Sequence, residues 1–442
     1  MINFKELNTN AIEKGITALE VSTSTNETLT LSIFKQQVER NKISKTTRAS
    51  LRGIYNGTQA ICNTENINNI ELNNSLKKIV ENASLITSKD ETIFLKELKE
   101  YKEVNNYHEC IAKEDYNNII TLLKTIETKM LTLEKRIKQL SSCKYYYHYN
   151  ERTLMNSYNL DLSNKSNYGL IYIDAIIEED GDTQTYGDYI FIKDFKDVDV
   201  DKFVKDFIVN IALKLHPIGI ASKSYPTILK NDVMNDLLAN LGSIFFADNN
   251  QKGISPLANK LNTSIMSNLI NISDDPFNVD AYESVSFDDE GYPCSLTNIV
   301  VDGKLNSYLY NLSTAAKDKV SSTGNGFKGS SAIGISSTNL ILKPSTSSFD
   351  DLIANMNTGI VIEEIMGLHA GINKTTTDFS LQASGYYVEN GVRKHPINLI
   401  TIADNFLELM NKVTAIGNDL KFSLDGTASS SILFSNISLT SE

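Results

Sequence analysis

Two hairpin signatures constrain this chain more than anything else in it. Asp302-Gly303 sits between Ile299-Val300-Val301 and the segment 305–310, and Asn390-Gly391 sits between Tyr386-Tyr387-Val388 and the segment leading to Ile397. An Asx-Gly pair between apolar runs supplies the two positive-φ residues of a tight β-hairpin. Further turn signals crowd the same half, at Asp289-Glu290-Gly291 and Gly324-Asn325-Gly326. Residues 219–442 are therefore expected to form a mostly antiparallel, β-rich domain, barrel- or sandwich-like, with peripheral helices. Those helices are placed at 348–356, capped by Ser347 or Ser348, and at 404–415, capped by Asp404.

The first half reads as α/β with a mixed or antiparallel sheet, making the whole chain α+β. Thr28, Thr30 and Ser32 alternate with Leu29, Leu31 and Ile33, the period-two mark of a half-buried strand. Helices are expected at 2–14, 69–86 and 200–215. The strongest helical signal runs over 115–140, where Ile119, Leu122, Ile126, Met130, Leu133, Ile137 and Leu140 step by three or four. Strands are expected over 17–63, 144–150, 169–178 and 189–193. His216-Pro217-Ile218-Gly219 is a break, so the boundary falls after 218. Segments 1–88 and 110–218 are candidate subdomains of the N-terminal part.

With 442 residues, 41% hydrophobic and 22% charged, the chain is long enough for two or three ordinary domains. No run of ~18 apolar residues suggests a membrane span, and the N-terminal Met1–Glu6 has no basic start followed by an apolar block. Cys62, Cys110, Cys143 and Cys294 form no metal-binding spacing, which fits reduced thiols and a cytoplasmic protein. A net charge of −12 argues against nucleic-acid binding, because such a chain repels a phosphate backbone.

Chemical motifs are sparse. Gly324-Asn325-Gly326-Phe327-Lys328-Gly329 matches a dinucleotide fingerprint by letter, but no buried strand precedes it and no helix follows, so it reads as a glycine-rich loop. His108-Glu109 lacks a second histidine at 112 or 113, where Ala112 and Lys113 stand. No G-x-S-x-G elbow is present. Asp288-Asp289-Glu290 lacks the spacing of a calcium loop and reads as an architectural, solvated turn.

One ordered series of short elements carries more information. It begins Gly359-Ile360-Val361-Ile362-Glu363-Glu364-Ile365-Met366-Gly367 and continues through Thr377-Asp378-Phe379-Ser380, Ser384-Gly385-Tyr386 and Pro396. It closes with Thr401-Ile402-Ala403-Asp404-Asn405 and Ala415-Ile416-Gly417-Asn418-Asp419. The series resembles the TldD/PmbA family of metallopeptidase subunits, once labelled modulators of DNA gyrase, and the likeness is traceable over most of the chain. Within the family this sequence looks like the PmbA (TldE) type. The zinc-bearing TldD type places His-Glu-x-x-x-His on a helix after a strand and adds a cysteine near its C-terminus. The corresponding helix here, 231–246, has no histidine, and no cysteine follows Cys294.

The resemblance implies a non-catalytic subunit of a peptidase that cleaves unfolded peptides, with no catalytic or metal-ligating residue and no cofactor of its own. Zinc is expected in a TldD-like partner, as a heterodimer, with a homodimer open to the isolated chain. His369, Asn373, Asp378 and Ser380 are the residues expected to contact substrate. Two alternatives stand beside this. One is a self-sufficient metallopeptidase using His369, Asp378 and the turn at 288–290. The other is a peptide-binding homodimer without catalysis.

Overall fold

The computed structural model describes residues 2–86, 94–96, 99–329 and 332–441. Residue 1, the end of the expected 1–88 subdomain and residue 442 lie outside the described residues. The chain divides into two compact units, one of Met1–Lys99 and Asn105–Leu215, the other of Glu100–Val104 and His216–Glu442.

The first unit runs α1 (Phe4–Glu13), β1 (Ile16–Phe34), β2 (Gln37–Tyr55), β3 (Thr58–Thr64) and α2 (Asn69–Leu85). It continues with α3 (Glu109–Ala112), α4 (Tyr116–Leu133), β4 (Ile137–Asn156), β5 (Asp161–Glu179), β6 (Asp182–Ile192) and α5 (Val200–Ala212). The strands form one antiparallel sheet in the order β3-β2-β1-β4-β5-β6. β1 serves two cores on the same face. Leu19 and Val21 pack with Leu72, Leu76 and Ile79 of α2. Leu29, Leu31 and Ile33 pack with Leu123, Ile126 and Met130 of α4 and with Phe207 and Ile211 of α5. Each such side chain contributes about 1.5–3 kcal/mol on burial. Between the cores the sheet turns polar. Thr23 meets Thr153 at 2.7 Å, Thr25 meets Thr47 at 3.1 Å, and the Asn150 amide donates to Asn26 at 2.7 Å.

The helix expected over 115–140 ends at Leu133, which is exposed, and Ile137 and Leu140 belong to β4. Register shifts between Ile137 and Gln139 and between Leu140 and Ser142 break the alternation of β4. Ile137, Leu140 and Cys143 are therefore all buried at intervals of three. A twice-bulged strand thus imitates helical spacing.

The second unit contains β7 (Lys223–Leu229), α6 (Asn231–Leu241), α7 (Ala247–Gln251), β8 (Ile272–Asp274), β9 (Thr297–Val301), β10 (Lys304–Leu305) and α8 (Leu312–Asp318). Then follow β11 (Gly326–Lys328), β12 (Ile333–Ile335), β13 (Leu340–Leu342), α9 (Phe349–Met356), β14 (Gly359–Met366), α10 (Leu368–Gly371), β15 (Asp378–Glu389) and β16 (Val392–Asn405). It ends with α11 (Phe406–Asn411), β17 (Val413–Ile416), β18 (Lys421–Phe422), β19 (Thr427–Ser429) and β20 (Ile432–Ser441). The sequence β16-β15-β14-β7-β20 closes on itself because β16 also pairs with β20, giving a five-stranded barrel. A second sheet has the order β10-β9-β8-β13-β19-β18. The fold is α+β with a barrel in the C-terminal half, as expected. Asp302-Gly303 and Asn390-Gly391 form their tight turns with all four residues at positive φ.

Of the two helices expected here, α9 starts after Ser348, whose side chain forms a capping box with Asp351. The other is shorter than 404–415. Asn405, not Asp404, caps α11 by accepting the amides of Leu407 and Glu408, while Asp404 remains within β16 and pairs with Lys412 at 2.7 Å. Among the described residues no helix is long and apolar enough to cross a membrane.

Candidate functional site

Strand direction decides which loops share an end of the barrel. β7 and β14 are parallel neighbours, with Leu229 opposite Ile362. Both deliver their next segments to the same rim: α6 after β7, and the loop 367–377 after β14. The start of β15 and the end of β16 lie there too, since Met366 pairs with Gln382 and Asp378 with Asn405.

All four residues expected to contact peptide lie on this rim, and all four are exposed. His369 is in α10. Asn373 and Asp378 close the loop, the Asn373 amide donating to the Asp378 carbonyl at 2.9 Å. Their side chains already have work. The Asn373 side-chain oxygen accepts the amides of Thr375 and Thr376. The Asp378 carboxylate accepts from the Thr376 hydroxyl at 2.6 Å and the Asn405 amide at 2.9 Å. These bonds hold its pKa below the usual carboxylate value, Thr376 first and Asn405 second. Ser380 lies one outward position along β15, while Phe379 and Leu381 point into the barrel. Thr377, buried at a positive φ of 67°, anchors the turn through its hydroxyl to Asn405.

The acidic turn is architectural but not solvated. Asp288 and Glu290 are buried. Asp288 accepts the backbone amides of Glu290, Tyr292 and Gly326, Glu290 accepts that of Leu312, and Asp289 that of Lys328. Three segments are thus gathered onto one turn, and their amides offset part of the cost of burying its carboxylates. Burial first, then the charge of Glu290, pushes Asp288 well above the ordinary carboxylate range. A Cβ at Gly326 would run into the Glu290 carboxylate, which would have to move from its bond to the Leu312 amide. Asp274 completes the network by accepting from the Asn325 amide at 2.7 Å and the Thr338 backbone at 2.8 Å. Tyr101 reaches the same turn, its hydroxyl donating to the Gly291 carbonyl at 2.8 Å, and burial raises its pKa to about 12. No spacing in the sequence announced this convergence, because its members are spread over 101–338.

Among the described residues, the donors that a zinc site needs do not assemble. α6 turns Val233, Met234, Leu237, Leu238 and Leu241 into the core, and its acids are Asp232 and Asp236. The buried Asn235 carbonyl oxygen has no partner among the described residues, but a lone amide oxygen does not replace imidazoles at zinc. The histidines stand on separate elements: His108 before α3, His148 on β4, His216 after α5, His369 in α10 and His395 on β16. Among the described residues no three His, Cys, Asp or Glu side chains stand where they could hold a metal ion. Among the described residues, the side chains do not fit zinc, and His369, Asp378 and 288–290 do not come together as a metal-holding set. An open cleft of about 320 Å³ elsewhere in this unit, beside Pro226, Met356 and Phe434, is lined by no ionisable side chain.

Comparison with known proteins matches residues 222–441 to the PmbA/TldA metallopeptidase C-terminal domain, 111–215 to the central domain and 19–87 to domain 1. The chain belongs to the PmbA/TldD family. It is 27% identical over 311 residues to the metalloprotease PmbA of Escherichia coli O157:H7, covering 70% of this chain and 67% of that one. It is 28% identical to a PmbA homologue of Buchnera aphidicola over 60% of this chain and 57% of that protein. With the Haemophilus influenzae PmbA homologue the match spans 48% of this chain and 45% of the relative. A TldD homologue of Buchnera aphidicola is 29% identical over 51% of this chain and 47% of its own length. Several of these matches thus span only about half of the curated relatives. A solved structure from Thermotoga maritima, described as a modulator of a DNA gyrase, superposes with a TM-score of 0.91 at 26% identity, covering 99% of this chain and 100% of that one. TldE from Thermococcus kodakarensis shares the fold, with a TM-score of 0.90 at 19% identity and 99% coverage of both chains.

Proposed function

We propose that this PmbA/TldD family member is the PmbA/TldE-type, non-catalytic subunit of a cytoplasmic metallopeptidase complex that cleaves unfolded peptides. In this reading a TldD-like partner supplies zinc and activates water. This chain supplies surfaces that hold the peptide, with His369, Asn373, Asp378 and Ser380 on the barrel rim. The observation that carries the reading is the composition of α6, the helix after β7. It spends its inward positions on aliphatic side chains and asparagine, and offers no imidazole or thiolate. Asn373 and Asp378 shape the rim loop, leaving His369 and Ser380 as the outward side chains with chemistry to spare.

The test pairs elemental analysis of the purified chain with cleavage of an unfolded peptide, with and without a co-expressed partner carrying His-Glu-x-x-x-His. Cleavage only with the partner, and no stoichiometric metal in this chain, is the expected result. One zinc per chain with cleavage by this chain alone overturns the reading.

A further inference from the structure

Among the described residues, the outer edge of β2 has no strand partner over 37–48. β3 pairs with β2 only over 49–55, so among the described residues 37–48 have a strand partner in β1 alone. Unpaired strand edges attract further strands, and natural proteins blunt them with charge. This edge carries Arg40, Lys42, Lys45 and Arg48 against a single acid, Glu39, a net +3 within a chain of net −12. Lys45 pairs with Glu27 and Arg48 with Glu65. Arg40 and Lys42 have no ion-pair partner among the described residues. Their register partners, Ser32 and Thr30, lie opposite Lys144 and Tyr146. These positions share the sheet face opposite α4 and α5, whose helices pack against Leu29, Leu31 and Tyr145. The same face carries a ring ladder, His148 to Tyr168 at 5.3 Å and Tyr168 to Phe191 at 5.2 Å.

We propose that the 37–48 edge of β2 binds an acidic peptide segment in extended form, as an added strand whose side chains meet Arg40 and Lys42. The inference rests on the peptide-handling reading above and names the surface and peptide class. Added strands gain main-chain hydrogen bonds from the edge and selectivity from alternate side chains. A second copy of the edge is a poor occupant, because antiparallel self-pairing would set cations against cations. An acidic segment meets opposite charge at the same positions.

The test uses the full chain without partner and a labelled octapeptide alternating glutamate with valine and tyrosine. The controls are the same peptide with lysine for glutamate, and an oligothymidine. Expected are binding of the acidic peptide, slowed amide exchange within 37–48, and about tenfold weaker binding for the Arg40→Glu/Lys42→Glu variant. Thermal melting of that exposed double variant should be unchanged. Protection confined to other segments, equal binding of the lysine peptide, or oligothymidine binding at this edge with the same loss in the variant overturns the proposal. Because no partner or cleavage is involved, failure here leaves the partner-dependent cleavage test standing, and failure of that test leaves this binding result readable.

Discussion

The buried carboxylate of Glu127 holds Gln36 by both its backbone and its side chain. It accepts the Gln36 backbone and side-chain amides, each at 2.7 Å, and the Lys35 amide at 2.9 Å. Lys35 and Gln36 form the β1–β2 turn at φ values of 50° and 64°, a conformation usually given to asparagine or glycine. A helix side chain thus stabilises a turn that its own residues disfavour. Glu127→Ala should cost about 1–3 kcal/mol through the unsatisfied amides. A lower melting temperature with faster exchange at 35–36 checks this, and unchanged exchange there would count against it.

Arg52 and Glu20 form a buried two-point ion pair at 3.1 and 2.9 Å, with Phe94 4.4 Å from the guanidinium. Arg52→Ala alone should destabilise by about 3–5 kcal/mol, because it strands a buried carboxylate. The double change Arg52→Met/Glu20→Gln removes both charges and should recover much of that loss. Melting of the single and double variants measures the coupling, and simple additivity would mean the pair acts independently.

Asp274 gives the fold a pH dependence of predictable sign. Burial outweighs the hydrogen bonds from Asn325 and Thr338 and raises its pKa from the ordinary 3.8 to about 6. The native state therefore binds the proton more tightly than the unfolded chain. This contribution is fully present below about pH 4 and is lost as pH rises toward about 6. Asp274→Asn sets its amide donor against the Asn325 or Thr338 N–H, so it should melt below the parent at pH 4, and the gap should narrow toward pH 7 as the parent loses its titrating contribution. A pH-independent difference would remove the titration from the explanation.

His369 and Ser380 separate peptide contact from loop structure. Both are exposed, so His369→Ala and Ser380→Ala should change stability by no more than about 0.5 kcal/mol. With the zinc-bearing partner present, they should raise KM about threefold or more if they touch peptide. Asn373→Ala and Asp378→Ala should instead lower the melting temperature by releasing loop bonds. Unchanged KM in both exposed variants would move the peptide path away from this rim.

Local chemistry explains which features were legible in the sequence. Asp302-Gly303 and Asn390-Gly391 announce their hairpins because the turn conformation selects those residues. Ser348 announces its helix because capping is local. The Lys35-Gln36 turn was silent, since its stabilising group, Glu127, lies far along the chain. Ile137 and Leu140 misled because bulges give a strand a helix-like interval. The rim residues were found through a resemblance, and their shared location follows from the parallel pairing of β7 with β14. The burial of Asp288 and Glu290 was hidden because the amides that satisfy them come from other loops.

The continuity of β1 through both cores has a consequence for modularity. The stretch matching the family's first domain, 19–87, contains Leu29, Leu31 and Ile33, which complete the core of the second. The central stretch 111–215, expressed alone, would lack a wall of its own interior. Recombination that separates the two stretches would mismatch that interior, so these two sequence units make one physical body.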